Sequence, residues 1–334
     1  MKKMLVIGAN GFLGSHVTRL LVQQGHAVRV MLRKTANTQG IDDLQVERKL
    51  GDIFDDQALR EAMQGCDVVF YCVVDTRAWL RDATPLYRTN VEGLQHVLDA
   101  AVAVKVPRFV FTSTIGTIAR NPHGVVSEVE PHNYLARGGD YIKSRVQAEQ
   151  MVLRYHREQG LPAIAMCVAN TYGPGDYGST PHGAGVAAAA LGQLPFTVKD
   201  MASEAVGIED AAQALVLAGE RGRIGERYIV SERFIPWKDI YEAAAEAVGA
   251  PRPARCIALW QLRLLAYVSD IAGRLKGEDA VLRPISVRLM SIMTRMDHSK
   301  AERELGWHPR PVLESVRAAA RFYVERARQS TQAS

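Results

Sequence analysis

The 334-residue sequence has no C-x-x-C pair. Its four cysteines, Cys66, Cys72, Cys167 and Cys256, never sit beside histidines at metal-ligand spacing. No metal centre and no disulfide scaffold is therefore expected. Three of the cysteines lie inside apolar runs, and the set reads as buried, reduced thiols of a cytoplasmic protein. No run reaches the roughly five or six like charges that mark an interaction tail. No basic stripe is interleaved with aromatics, so nothing favours a nucleic-acid partner. A targeting leader is not expected either, because the apolar run 4–7 breaks at Gly8-Ala9-Asn10-Gly11, too early for a signal peptide.

The largely apolar stretch 256–273 does not qualify as a membrane span. A span needs roughly 20 apolar residues. Arg263 and Asp270 lie inside this stretch, and each costs roughly 2.5–3.5 kcal/mol near a bilayer centre. The segment reads as a buried helix, or as the wall of an apolar substrate pocket around Trp260, Leu264, Leu265 and Tyr267. An interfacial membrane helix is the alternative.

What is present is a globular composition: 47% hydrophobic and 23% charged residues, with a net charge of +5 from 41 basic and 36 acidic side chains. A chain of this length forms one large α/β domain or two domains. The modest positive charge suits a dinucleotide or an acidic substrate as well as any other polyanion.

Short apolar runs at 4–7, 27–32, 68–74, 109–112 and 163–168, with a weaker strand pattern at 46–50, alternate with helical patterns at 12–24, 55–63, 85–104 and 141–158. Buried parallel strands read this way, so the alternation predicts an α/β fold, a Rossmann-type doubly wound parallel sheet. After Asn170 the chain becomes rich in Gly and Pro. Helices are expected near 209–220, 237–248 and 312–328, with a short strand at 227–230. The expected organisation is a dinucleotide-binding domain over 1–170, to which 209–230 returns. A smaller, irregular C-terminal substrate lobe comprises 171–208 and 231–334.

The run Gly8-Ala9-Asn10-Gly11-Phe12-Leu13-Gly14 lies between the first strand and the first helix. One glycine allows the tight turn, one lets amides approach a pyrophosphate, and one lets helix and strand pack closely. The helix N-terminus then offers its free amides to the anion. Gly8, Asn10, Gly11, Phe12, Leu13 and Gly14 are accordingly expected to bind the cofactor. At the end of the second strand an NAD site has a carboxylate, but 28–38 contains none. Arg33 and Lys34 stand there instead. An arginine pairs with a 2′-phosphate, so NADP(H) is the expected cofactor, with NAD(H) the alternative. Asp52 is read either as a partner for the adenine amino group or as a turn residue.

Several pieces carry a family resemblance: G-A-N-G-F-L-G at 8–14, F-T-S-T at 111–114, Y-I-K-S-R-V-Q-A-E at 141–149, A-N-T-Y-G-P-G-D at 169–176 and S-K-A-E-R-E-L-G-W-H-P at 299–309. Together they resemble the extended short-chain dehydrogenase/reductase superfamily. The likeness is greatest to its 3β-hydroxysteroid dehydrogenase and dihydroflavonol reductase-like branch, which includes epimerase/dehydratase-type members. The resemblance implies hydride transfer, with Tyr141 as proton donor or acceptor and Thr114 bonded to the reacting oxygen. Ser113 is the neighbour to test if Thr114 fails. Asn90 supports the helix or a proton relay. Ile53, Val73, Tyr141 and Arg145 complete the implied cofactor set.

A tyrosine ionises near pH 10 in water, so a base at neutral pH needs positive charge nearby. The family places a lysine four residues on; here the residue is Arg145. Arginine keeps the charge but differs in reach and cannot shuttle a proton. Three readings follow: an active enzyme, a slow or specialised one, and a cofactor-binding protein without catalysis. Other departures are Asp75 after the fourth strand, read as facing the cofactor ribose or, in preference, as a turn cap, Ala169 before Asn170, and Gly207 where many relatives have histidine. Asp210 is retained.

Two substrate classes compete. The first is a ketone or secondary alcohol on an apolar small molecule. The second is a nucleotide sugar, for an epimerase or dehydratase holding NAD, with Arg283, Arg288 and Arg295 as candidate cations or merely as solvated helix faces. A catalytically impaired NADP(H)-binding regulator is the non-enzymatic alternative. The helix 145–158 is a candidate homodimer surface.

Overall fold

The computed structural model describes residues 2–332 apart from Met293. Its centre is a seven-stranded, wholly parallel sheet. In chain order the pieces are β1 (Lys3–Ile7), α1 (Phe12–Gln23), β2 (Ala27–Leu32), β3 (Glu47–Leu50), α2 (Asp56–Met63), β4 (Val68–Tyr71), α3 (84–103), β5 (Phe109–Thr114), α4 (Gly139–Gln159), β6 (Ala163–Val168), α5 (Ile208–Arg221) and β7 (Arg227–Val230). The spatial order is β7-β6-β5-β4-β1-β2-β3. The order reverses between β1 and β4, and the crevice at such a switch point is where open parallel sheets bind ligands.

Period-two alternation explains the two faces. Met4, Val6, Val30, Phe70, Val110 and Met166 pack on one side with α1 and α5. Leu5, Ile7, Met31, Val69, Tyr71 and Phe111 pack on the other with α2, α3 and α4. Strand β3 is exposed throughout and carries Glu47, Arg48 and Lys49, charges that suit an unpaired sheet edge.

The boundaries differ from expectation in instructive places. Strand β4 stops at Tyr71 rather than at 74. Residues 72–73 instead pass close over Gly8, and the Asp75 amide is taken by Asn90 Oδ1 at 2.8 Å. Strand β5 runs on to Thr114 because Ser113 and Thr114 pair with Cys167 and Val168. Within α3, Arg88–Glu92 forms a π-type turn.

A third core, containing Tyr172, Val186, Ile235, Trp237, Leu262 and Val316, gathers the later elements. These include α6 (Leu259–Lys276) and α7 (Val312–Gln332). The expectation of a buried 256–273 segment is overturned. Helix α6 buries only Leu262, Ala266, Asp270 and Gly273, while Trp260, Leu264, Leu265 and Tyr267 are exposed. One contact stripe is enough to dock a helix at the periphery. Among the described residues no helix is long and apolar enough to cross a membrane. The four cysteines are free thiols. Cys66 and Cys167 are buried, but Cys72 is half-buried and Cys256 exposed, because the strand Cys256–Ile257 pairs only with the short strand Thr197–Val198 at the molecule's surface.

Candidate active site

Gly8 has φ = +89°, and a Cβ there would lie 2.9 Å from the Cys72 carbonyl carbon. A Cβ on Gly14 would lie 2.1 Å from the Gly8 carbonyl oxygen. Strand, turn and helix therefore approach to a distance only glycine permits. The Gly11 amide closes the turn onto the Gly8 carbonyl at 3.0 Å. Helix α1 then begins with no side-chain cap and no acidic residue in its first turn. Its leading amides are left for an anion. This cradle fits a dinucleotide pyrophosphate.

A cavity of about 340 Å³ adjoins the loop. Asn10, Gly11, Phe12 and Ser15 line one side; Gly40, Thr76, Arg77, Trp79 and the segment 175–181 line the rest. Arg77, Trp79, Ser179 and Thr180 are additions that sequence reasoning missed. The available signal for Arg77 was its place just after the fourth strand. Asp75 holds it through paired contacts at 2.5 and 2.9 Å, so Asp75 is the turn cap and the Arg77 partner. Burial raises the Asp75 carboxyl, but the Arg77 hydrogen bonds outweigh this and leave it below the usual carboxylate range. Asp176, last residue of the 169–176 piece, is fully buried. It accepts from the Thr180 and Tyr323 hydroxyls, each at 2.7 Å, and so fixes the 175–181 wall. A larger recess of about 470 Å³, lined by His16, Arg19, His308 and Arg310 among others, includes none of residues 8–14.

At the end of β2, Arg33 and Lys34 are exposed, and among the described residues their side chains have no hydrogen bond or ion pair. Asp52 accepts the Phe54 amide at 3.2 Å within its own turn. Asp55, not Asp52, caps α2 through the Ala58 amide. Ile53 lies against Gly93, and Val73 against Gly8.

The helix α4 carries Tyr141 in its first turn and Arg145 four residues later, on one face. Tyr141 is half-buried, and among the described residues its hydroxyl makes no hydrogen bond. Arg145 is 1% exposed. Its Nη2 donates to the Thr112 carbonyl at 2.6 Å, and its guanidinium lies over the Phe111 ring. Nε and Nη1 are buried without a partner. Buried N–H groups are costly to leave unpaired, so two donors here are open to a ligand. Thr114 Oγ1 accepts the Gly116 amide at 3.2 Å, which leaves its own proton free to donate. Ser113 points to the opposite face of β5 and gives its proton to Glu149 at 2.5 Å. Glu149 also accepts from Thr117 and pairs with Arg227. Asn90 is a clamp: its amide nitrogen donates to the Asp75 carbonyl at 3.0 Å and to Ser144 Oγ at 3.2 Å. It ties the loop after β4 to the helix that carries Tyr141.

The remaining departures have local causes. A Cβ on Gly207 would lie 2.4 Å from Ser315 Oγ, so a histidine needs that serine displaced. Asp210 accepts from Arg310 at 3.2 Å, and its carbonyl takes the Trp307 indole at 2.8 Å, anchoring the tail. Ala169 is buried, its amide on the Val230 carbonyl. The three candidate arginines are in separate settings. Arg283 is bonded to Asp270 at 2.8 Å, Arg295 lies over Phe234, and Arg288 is exposed.

The fold order, the glycine cradle at its switch point and the Tyr-x-x-x-Arg helix define an extended short-chain dehydrogenase/reductase. The comparison with known families agrees: the chain belongs to the NAD dependent epimerase/dehydratase family, whose model matches residues 4–231. It is 26% identical over 323 residues to a "putative dihydroflavonol 4-reductase" of Synechocystis sp., covering 95% of this chain and 93% of that one. It is 28% identical over 324 residues to "sterol demethylase protein B" of Methylococcus capsulatus, covering 96% and 98%. The solved structure of gox2253 superposes with a TM-score of 0.86 at 30% identity, covering 98% of this chain and 99% of that one. The chain is an enzyme of this NAD(P)-dependent oxidoreductase group.

Proposed function

We propose that the protein is an NADP(H)-preferring reductase of a ketone, or dehydrogenase of a secondary alcohol, carried on a largely apolar small molecule. The observation that carries the cofactor preference is Arg33, exposed and, among the described residues, without a side-chain partner at the end of β2, with no carboxylate in 28–38. A 2′-phosphate matches that guanidinium, whereas a bare ribose hydroxyl does not need it. The two relatives, one named a putative dihydroflavonol 4-reductase and the other sterol demethylase protein B, support a carbon skeleton rather than a sugar nucleotide.

A bound nicotinamide would supply or accept the hydride. In reduction, Tyr141 gives its phenolic proton to the carbonyl oxygen, while the free Thr114 proton donates a hydrogen bond to the same oxygen. Arg145 supplies fixed positive charge below the pair, and its two unpartnered donors are available to ribose hydroxyls. Asn90 acts as a positioning residue through the Ser144 contact. Residues 8–14, with Arg33, Asp52, Ile53 and Val73, hold the dinucleotide in a domain comprising 1–170 and 209–230; 171–208 and 231–334 supply the substrate lobe.

The epimerase or dehydratase reading needs a convergent cationic site for a second pyrophosphate. The separation of Arg283, Arg288 and Arg295 counts against it. Calorimetric titration of cofactor-free protein with NADPH and NADH tests the assignment, followed by NADPH oxidation with a panel of lipophilic ketones. A preference for NADPH above roughly tenfold, about 1.4 kcal/mol, is expected. Tightly retained NAD with no ketone turnover overturns the reading and favours the epimerase.

A further inference from the structure

Helix α6 is docked by one stripe and bare on the other. Leu262, Ala266 and Gly273 face inward with Asp270, whose carboxylate accepts from Arg81 at 2.9 Å and Arg283 at 2.8 Å and pairs with Arg274 at 3.1 Å. The helix is thus fixed by ion pairs as well as by packing, and its outward face is a stable feature of the fold. Arg283 also donates to the Trp79 carbonyl, so the anchor is continuous with the wall of the cofactor cavity.

Opposite the anchor, Trp260, Leu264, Tyr267, Val268, Ile271 and Leu275 stand in water, from 57% exposed at Leu264 to 85% at Leu275. At about 100° per residue these six lie within an arc of roughly 100°, a continuous apolar stripe. Soluble monomers rarely expose a contiguous patch of this kind without using it.

The charges around the stripe select its occupant. Arg263, Arg274 and Lys276 are the charged residues of α6 that face solvent, and all are positive; the helix's one acid, Asp270, is turned inward. The acids that follow, Glu278 and Asp279, lie past the C-terminal end, and Asp279 is bonded to Arg81. Apposing two copies across this stripe brings like charges together, which disfavours a self-paired interface. An anionic lipid surface complements the same basic rim. Trp260 and Tyr267 are the residue types that settle at the boundary of headgroups and acyl chains. We propose that α6 lies in the plane of an anionic bilayer surface, apolar face down, and makes this chain a peripheral membrane protein. The proposal stands whether or not the reductase reading holds.

Co-sedimentation of the full chain with phosphatidylcholine vesicles, with and without phosphatidylglycerol, tests it without any turnover. Binding to the phosphatidylglycerol vesicles is expected, weakening with added salt. Leu264→Glu/Ile271→Glu should lower it by on the order of tenfold or more while NADPH binding is kept. Arg263→Glu/Lys276→Glu should remove the preference for anionic lipid. Trp260 emission should shift to the blue on vesicle addition, and Trp260→Phe should lose that shift while still sedimenting. Should the glutamate variant fail to fold, quenching of wild-type Trp260 by brominated lipid decides the question. Absence of vesicle binding, binding indifferent to these substitutions, or a lipid-free dimer broken by Leu264→Glu/Ile271→Glu overturns the proposal; the last assigns the face to a second copy.

Discussion

The Arg145 guanidinium donates to the Thr112 carbonyl oxygen at 2.6 Å, across from the strand end that presents Thr114. With its carbon 5.1 Å from the Phe111 ring centre, it is held by a backbone acceptor and an aromatic face, and two of its donors have no partner. A buried charge so incompletely paired contributes little to stability. Arg145→Met should therefore leave unfolding stability unchanged or raise it, by up to about 1–4 kcal/mol, in cofactor-free protein. NADPH affinity should fall by on the order of tenfold or more. Arg145→Lys should keep activity, since the charge is retained. Thermal unfolding beside calorimetric titration checks both; complete loss of turnover in the lysine variant assigns the guanidinium a role that charge alone does not fill.

Tyr141→Phe removes the proton donor and leaves the ring in place. Turnover should fall by roughly 10²-fold or more. NADPH binding should stay within about twofold, because the phosphate loop and Arg33 are untouched. Stopped-flow NADPH oxidation and direct titration separate the two effects, and unchanged turnover sinks the mechanism.

Arg33→Ser should erase the preference for NADPH over NADH, a change of at least about 1.4 kcal/mol in relative affinity. NADH binding itself should change little. Parallel titrations of both cofactors measure it; an equal loss for both makes Arg33 a structural residue.

Gly14→Ala places a methyl carbon 2.1 Å from the Gly8 carbonyl oxygen, a backbone atom that cannot swing aside. Helix α1 must move off β1. A cost of about 1–3 kcal/mol is expected, together with loss of measurable NADPH binding. Chemical denaturation and titration report the two outcomes.

Burial lowers His182 from its ordinary 6.5 to about 4 where it packs edge-on to Tyr172 and Trp237. The neutral ring is the folded form. Between these values the unfolded chain binds the proton and the folded one does not, so stability is full above about 6.5 and is lost as pH falls toward 4. His182→Phe should flatten this limb by at most about 3 kcal/mol, measured as denaturation midpoints across that pH range. An unaltered pH profile in the variant assigns the acid sensitivity to other groups.

Much of the cofactor half was legible because its signals are local. A glycine between a buried strand and a helix has a backbone reason to be there, and Gly8 and Gly14 show that reason in their contacts. Asp75 was readable as a cap because an aspartate two residues before an arginine in a turn reaches both its amide and its side chain. Ser113 and Thr114 were harder to separate. Strand alternation assigns them to opposite faces, but only the position of Glu149 on the neighbouring helix shows which hydroxyl is consumed. Arg77 and Trp79 had no motif, and they reach the cavity through a loop tied down by Asn90 and Arg283.

The sequence by itself determined the parallel sheet and the phosphate loop, since each follows from periodicity or from the geometry of one turn, while the Tyr141–Arg145 pair was picked out by its resemblance to the family's motif. It also showed 256–273 as a largely apolar stretch with Arg263 and Asp270 inside, most of which is the helix Leu259–Lys276. Only the tertiary structure decided which way that helix faces. Asp270 finds Arg81, 189 residues away in the chain, and Arg283, 13 residues on, and those ion pairs hold the charged residue inward while the apolar stripe faces outward. Hydrophobic pattern alone does not choose between the two apolar stripes of this helix; Leu262 and Ala266 join the third core, and the Asp270 ion pairs hold that same face inward.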